Sequence, residues 1–119
     1  MAPRERVGPA SELLPGEPKL VYLGYDDRGF PRQAIVMRDP WTGEPRAWLN
    51  LCKHLPIPLD GGSGDVLGDD GKHFICRTHG AIYRADHGYC IEGPCEGQRL
   101  DKLRLEEDED GVLWVSDLG

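Results

Sequence analysis

Residues 52–79 read CKHLPIPLDGGSGDVLGDDGKHFICRTH and carry two short motifs of the same chemical kind. The first motif is Cys52-Lys53-His54 and the second is Cys76-Arg77-Thr78-His79, so each motif pairs a cysteine with a histidine. Thiolate and imidazole are both good transition-metal ligands, and each motif lies in turn-forming sequence next to a predicted strand. The spacing C-x-H followed by C-x-x-H therefore predicts a metal site with four protein ligands.

Short apolar runs between turn residues surround these motifs and predict β-strands. Lys19–Tyr25 and Arg32–Met37 flank the turn at Asp26–Gly29 and predict a hairpin, and Arg46–Leu51 leads into the first motif. Further strands are predicted at residues 66–67, 73–75, 80–84, 88–91, 103–106 and 112–115. Because no window keeps a helical period over three turns, the sequence predicts an all-β fold.

Composition bounds the class of protein. The chain has 119 residues, of which 39% are hydrophobic and 29% charged, as in a single globular domain. Its formal net charge of −7 disfavours nucleic acid as a partner, because phosphate binding needs clustered Lys and Arg, and favours a basic protein surface instead.

Localisation is also predicted from the sequence. Residues 1–18 lack the apolar core of a secretory signal, and no stretch approaches the roughly 20 apolar residues that span a bilayer. We therefore expect a cytoplasmic protein that does not bind a membrane. In a reducing compartment, four cysteines indicate metal binding or catalysis more than a disulfide framework.

The four ligand candidates, in this order, resemble the pattern of Rieske ferredoxins and related Rieske domains. The resemblance implies one Rieske-type 2Fe-2S cluster, with Cys52 and Cys76 on the buried iron and His54 and His79 on the outer iron. Two neutral imidazoles in place of thiolates leave such a cluster nearly neutral. Its potential is therefore about −150 to +300 mV, against about −400 mV for plant-type ferredoxins.

Other positions match or depart from the family pattern. Gly80 matches, and so does Gly93-Pro94, at the place of the proline loop that covers the cluster. Tyr83 matches a position where the family places a tyrosine hydroxyl near a cluster thiolate. High-potential members carry two further cysteines and a serine, which this sequence replaces by Ile57, Thr78 and Ala81. We therefore expect a potential near the low end of the range.

Two departures concern the shape of the ligand loops. Arg77 stands where the family usually has proline, and the gap between the two motifs is longer than usual. Lys53 and Arg77 also place two cations beside the predicted cluster. These cations either raise the potential slightly or guide docking, or they are simply solvated side chains.

The resemblance implies a Rieske-like fold, in which an antiparallel β-sandwich base carries an inserted cluster-binding subdomain at about residues 51–96. Residues 1–18 are expected to form an N-terminal tail and residues 19–119 a single Rieske 2Fe-2S domain. The implied function is that of a soluble one-electron carrier between a flavin reductase and an oxygenase or other oxidoreductase partner. We expect no catalytic turnover by the chain alone.

Two other functions stay open at this point. The chain could be a redox-sensing or small regulatory subunit of a larger enzyme, in which the cluster state changes the affinity for a partner. It could also be a zinc-stabilised structural domain, although structural zinc sites favour C-x-x-C spacing over C-x-H.

Several other side chains are ambiguous in the sequence. Cys90 and Cys95 either form a disulfide or are buried thiols, and a cytosolic setting favours thiols. The acidic run Glu106–Asp110 is either a docking patch or a solvated turn. His73 and His87 are predicted at the surface, and the three tryptophans are predicted to pack in the core at positions 41, 48 and 114.

Overall fold

The structure is a computed structural model that describes residues 4–53, 57–61, 63–78 and 80–116. Within these residues it is built of β-strands, with one turn of 3-10 helix at Ala10–Glu12. The strands are β1 Arg4–Pro9, β2 Lys19–Tyr25, β3 Pro31–Arg38, β4 Pro45–Leu49, β5 His73–Ile75, β6 Ile82–Arg84, β7 Cys90–Glu92, β8 Arg104–Glu107 and β9 Val112–Ser116. This confirms the predicted all-β class.

Three antiparallel sheets of three strands each organise the described chain, in the orders β1-β9-β8, β2-β3-β4 and β5-β6-β7. Backbone hydrogen bonds join the first two sheets, because the Leu49 N–H donates to Asp101 O and the Leu103 N–H to Ala47 O. These two sheets form the base. The third sheet is inserted between β4 and β8, within the residues 51–96 where the sequence places a cluster-binding subdomain.

Strand β3 is buried on both of its faces. Successive side chains of a strand point to opposite sides, so Ala34 and Val36 pack in the core of the base. Ile35 and Met37 pack instead in a second core with Trp48 and the residues of the third sheet. These four residues of β3 are at most 1% exposed, so the strand ties the inserted sheet to the base.

The prediction that residues 1–18 form a tail is wrong for Arg4–Pro9. Residues Arg4–Pro9 form β1, which pairs antiparallel with β9, and Val7 is buried in the core of the base. The guanidinium of Arg4 also lies 4.4 Å from the centre of the Trp114 ring. Strand β1 could not be recognised in the sequence, because Val7 is its only strongly apolar residue. The charged residues of β1 are exposed.

The inserted sheet packs closely on the base. A Cβ atom on Gly88 would lie 2.8 Å from the ring of Trp48, so only glycine fits there without displacement. Phe74 forms a bridge with Leu67, which joins the segments predicted as strands at residues 66–67 and 73–75. The described residues contain no helix of the length and apolarity needed to cross a membrane.

Candidate metal centre

Cys52 and Cys76 lie in loops that follow β4 and β5, as the motifs predicted. Their side chains are 2% and 0% exposed and belong to the same apolar core. Each loop folds back on itself, since the Cys52 N–H donates to Ile57 O and the Gly80 N–H donates to Cys76 O, both at 2.8 Å. Gly80 makes this turn at a φ of +75°, which favours glycine.

The predicted histidine ligands, His54 and His79, lie outside the described residues. The structure therefore gives positions for two of the four predicted ligands. In the described part of the chain, no three His, Cys, Asp or Glu side chains form a metal-binding group.

A buried polar network ties together the two loops that carry Cys52 and Cys76. The Asn50 side chain accepts a hydrogen bond from the Leu59 N–H at 2.8 Å and donates to Asp60 Oδ1 at 3.1 Å. Leu59 O in turn accepts the N–H of Arg77, the residue after the second cysteine. Asn50 and Asp60 are 4% and 5% exposed, so this network is shielded from solvent. This network could not be predicted from the sequence, because a single Asn and Asp in loops usually indicate turns.

The hydroxyl of Tyr83 lies at the centre of the site. It is 3.4 Å from Cys52 Sγ and 2.9 Å from Cys95 Sγ, and it accepts the Lys53 N–H at 2.9 Å. Burial, followed by these contacts with Cys52 and Cys95, raises the pKa of Tyr83 well above its ordinary value. The hydroxyl therefore stays protonated and can donate a hydrogen bond to a sulfur atom.

The segment at Gly93-Pro94 packs on the second ligand loop. A Cβ atom on Gly93, whose φ is +106°, would lie 2.8 Å from the Cα of Ala81, so the approach requires glycine. Pro94 is exposed, whereas Cys95 beside it is 1% exposed. The turn therefore covers the loop that carries Cys76.

Cys90 and Cys95 are buried thiols in contact with each other. Their sulfur atoms are 3.2 Å apart, and the Cys90 thiol donates to Glu92 O at 3.2 Å. Burial, helped by the contact with Cys95, raises the pKa of Cys90 to about 11. Sequence reasoning left the state of this pair open and did not detect its contact with Tyr83.

The two cations next to the cysteines are engaged in ion pairs. Lys53 Nζ lies 3.2 Å from Asp101 Oδ1, and Arg77 Nη2 lies 3.0 Å from Asp65 Oδ2. Each ion pair therefore links the residue beside a cysteine to another loop.

The histidines at 73 and 87 each pair with a nearby carboxylate. His73 Nδ1 is 2.6 Å from Asp70 Oδ2, and His87 Nε2 is 3.7 Å from Asp86 Oδ1. The side chain of His87 is exposed, as predicted, whereas that of His73 is half-buried.

Comparison with known proteins decides the family. The family model of the Rieske [2Fe-2S] domain matches residues 4–107, which is most of the chain. This chain belongs to the Rieske [2Fe-2S] domain family. Buried thiols on two loops, each followed within three residues by a histidine, are donors that fit a Rieske-type 2Fe-2S cluster.

Individual relatives differ in size from this Rieske chain. It is 34% identical over 101 residues to the cytochrome b6-f complex iron-sulfur subunit of Gloeobacter violaceus. That match covers 83% of the Rieske chain but 48% of the relative, so the chain spans about half the length of that protein.

Solved structures share the fold of this Rieske chain. The terminal oxygenase of carbazole 1,9a-dioxygenase from Novosphingobium sp. KA1 has a TM-score of 0.68 at 21% identity, over 94% of the Rieske chain and 29% of the oxygenase chain. A chain of the complex of reduced oxygenase and oxidised ferredoxin in carbazole 1,9a-dioxygenase has a TM-score of 0.63 at 22% identity. That match covers 95% of the Rieske chain and 92% of the other.

Proposed function

We propose that this chain is a one-electron carrier whose Rieske-type 2Fe-2S cluster is held by Cys52, His54, Cys76 and His79. The bound cluster would accept and release a single electron at a potential set by its mixed sulfur and nitrogen ligation. The protein's part is to bury the two thiolates, keep water from them and hold the Tyr83 hydroxyl against Cys52.

One observation carries this proposal. The two cysteines come from loops that are 24 residues apart in sequence, yet both are buried in one core and their loops are joined through Leu59 and Arg77. The Tyr83 hydroxyl also lies 3.4 Å from the sulfur of Cys52. The membership of the Rieske family supports the same ligand set.

The fold that this chain shares with a chain of the complex of reduced oxygenase and oxidised ferredoxin supports a carrier that passes electrons to an oxygenase. We infer a flavin reductase as donor and an oxygenase or other oxidoreductase as acceptor.

We further propose a cytoplasmic location and a single domain that includes β1, with the cluster-binding subdomain at about residues 51–96. The net charge of −7 supports docking to a basic protein surface and not to nucleic acid or a membrane.

Electron paramagnetic resonance of the purified, reduced protein tests the proposal. We expect chemical analysis to give two iron and two inorganic sulfide atoms per chain. The spectrum should have a low average g value, which is typical of nitrogen-ligated clusters. The double variant His54→Cys and His79→Cys should have a lower potential, since two more thiolates add negative charge. An unchanged potential, or zinc in place of iron, would refute the ligand assignment.

Cys52→Ser and Cys90→Ser form a matched pair of variants. Both replace a buried cysteine in the same core, but only Cys52 is a proposed ligand. We expect Cys52→Ser to lose the visible spectrum of the cluster and Cys90→Ser to keep it.

A second candidate is a redox subunit of a larger enzyme, which the similarity to the cytochrome b6-f complex subunit favours. A carrier should be reduced by a flavoprotein and reoxidised by an acceptor at high turnover. A regulatory subunit should instead co-purify with its enzyme, with an affinity that changes when the cluster is reduced.

A further inference from the structure

Behind the proposed cluster site lies a second pair of cysteines that the electron-transfer function does not use. Cys90 and Cys95 are 2% and 1% exposed, and their sulfur atoms are 3.2 Å apart. A disulfide has a sulfur separation of about 2.05 Å, so closing the bond requires a movement of about 1.2 Å. The turn between them contains Gly93, and its residues 91–94 are exposed. The two buried thiols therefore flank a turn that solvent reaches.

The hydrogen bonds connect this thiol pair to the proposed ligand Cys52. The Cys90 thiol donates to Glu92 O, and the Cys95 thiol donates to Cys90 Sγ. Cys95 Sγ is thus left as an acceptor for the Tyr83 hydroxyl at 2.9 Å, and Cys52 Sγ competes for the same proton at 3.4 Å. In the dithiol state the shorter contact draws the Tyr83 proton away from Cys52.

We propose that Cys90 and Cys95 are a reversible oxidation site, at which hydrogen peroxide forms a disulfide and thereby releases the Tyr83 hydroxyl to donate to Cys52. In the first step one sulfur attacks peroxide, which forms a sulfenic acid and releases water. The second thiol then displaces water from the sulfenic acid and forms the S–S bond. Two thiols and one peroxide give one disulfide and two waters, so two electrons pass from sulfur to peroxide.

The coupling to the cluster follows from hydrogen-bond strength. A disulfide sulfur is a poorer acceptor than a thiol sulfur, so the Tyr83 hydroxyl turns to the sulfur of Cys52. This part of the inference rests on the proposed role of Cys52 as a ligand. A hydrogen bond to a ligand thiolate stabilises the reduced, more negative cluster, and oxidation of the pair therefore raises the cluster potential.

Mass spectrometry tests the disulfide directly on the cluster-loaded protein. Trypsin cuts after Arg84 and Arg99, so residues 85–99 form one peptide with both cysteines, while Cys52 and Cys76 fall in other peptides. After treatment with peroxide, removal of peroxide by catalase and alkylation, we expect this peptide without alkyl groups and about 2 Da lighter than the reduced form. A dithiol reductant should restore two alkylated cysteines.

The potential of the cluster tests the coupling. We expect peroxide to shift the equilibrium toward the reduced cluster at least threefold, which is about 28 mV at 59 mV per tenfold change. Cys90→Ala should show no shift, and Cys95→Ala should have the raised potential from the start. Tyr83→Phe should still form the disulfide but show no shift.

Separate results decide the separate claims. Alkylation of both cysteines in peptide 85–99 after peroxide would overturn the oxidation site, and a disulfide with an unchanged potential would overturn the coupling. Iron content and the visible spectrum before peroxide is added test the proposed cluster by themselves. If Cys95→Ala fails to fold, Cys90→Ala and Tyr83→Phe still decide the matter.

Discussion

At the scale of single residues, the sequence identified the proposed ligands but not their surroundings. Cys52 and Cys76 stood out because a thiolate and an imidazole recur within a few positions of each other. The partners of Tyr83 could not be predicted, because Cys95 and Lys53 reach it only through the folded chain. Trp41 was predicted in the core and is instead 47% exposed, with the guanidinium of Arg84 4.1 Å from the centre of its ring.

Removal of the Tyr83 hydroxyl should lower the cluster potential of the protein in which Cys90 and Cys95 form a disulfide, because the hydroxyl then donates to Cys52. Tyr83→Phe deletes one hydrogen bond to Cys52 but keeps the buried ring. A hydrogen bond worth about 0.5–1.5 kcal/mol corresponds to about 20–60 mV for one electron, which is the expected decrease. A redox titration measures it. Tyr89→Phe, at an exposed ring, is the control and should leave the potential unchanged.

The buried network between the ligand loops should matter for stability. Asn50→Leu removes the side chain that donates to Asp60 Oδ1 and accepts the Leu59 N–H, at sites with about 5% exposure or less. We expect a loss of about 1–3 kcal/mol in the free energy of unfolding, measured by urea titration. Gln98→Leu, at an exposed site, is the control. Equal stability of the two variants would contradict a role for the network.

At the scale of elements, turns made the strands predictable. The hairpin of β2 and β3 and the bounds of β8 and β9 follow from apolar runs between Gly and Asp turns, and the structure has strands at each of these places. Strand β1 was missed, because its pairing with β9 depends on a partner about 100 residues away. Long-range pairing of this kind leaves little trace in a local pattern.

Asp108 holds the acidic hairpin between β8 and β9. Its carboxylate accepts the indole N–H of Trp114 and the N–H groups of Asp110 and Val112, all at 2.9 Å. These bonds favour the solvated-turn interpretation of the acidic run. They also lower the pKa of Asp108 below its ordinary value of 3.8, with the bond from Trp114 as the largest cause.

The effect of Asp108→Asn should depend on pH. A lowered pKa in the folded state means that the carboxylate stabilises the fold above pH 3.8, and that this contribution is lost as the pH falls through the folded pKa. We expect the variant to have a melting temperature a few degrees lower at pH 7 and the same temperature as the original chain at pH 2. Asp110→Asn should match the original chain at both pH values.

At the scale of the whole molecule, the two cores share strand β3 and should unfold together. Ile35 and Met37 face the core that contains the cysteines, whereas Ala34 and Val36 face the base. The sequence predicted β3 but not its burial on two faces, since a continuous apolar run does not say what covers each side. A shared strand predicts that weakening the base releases the cluster.

Val115→Ala tests this coupling from the far side of the molecule. Val115 is fully buried in the base and is absent from the core that holds the cysteines. We expect a loss of about 1.5–3 kcal/mol in stability, with loss of cluster absorbance and loss of β-structure at the same lowered urea concentration. Leu14→Ala, at an exposed leucine, should change neither transition.

The backbone bond between Leu49 N and Asp101 O has a consequence for protein engineering. The chain leaves the base at one of these residues and returns at the other, so the intervening stretch begins and ends on adjacent, antiparallel backbones. A hairpin that is to receive this stretch must therefore offer two neighbouring strands in the same register and large apolar side chains at the places of Ile35, Met37 and Trp48. Conversely, a two-residue type I′ turn in its place would uncover these three side chains, so a miniature protein of the six base strands would need polar residues there.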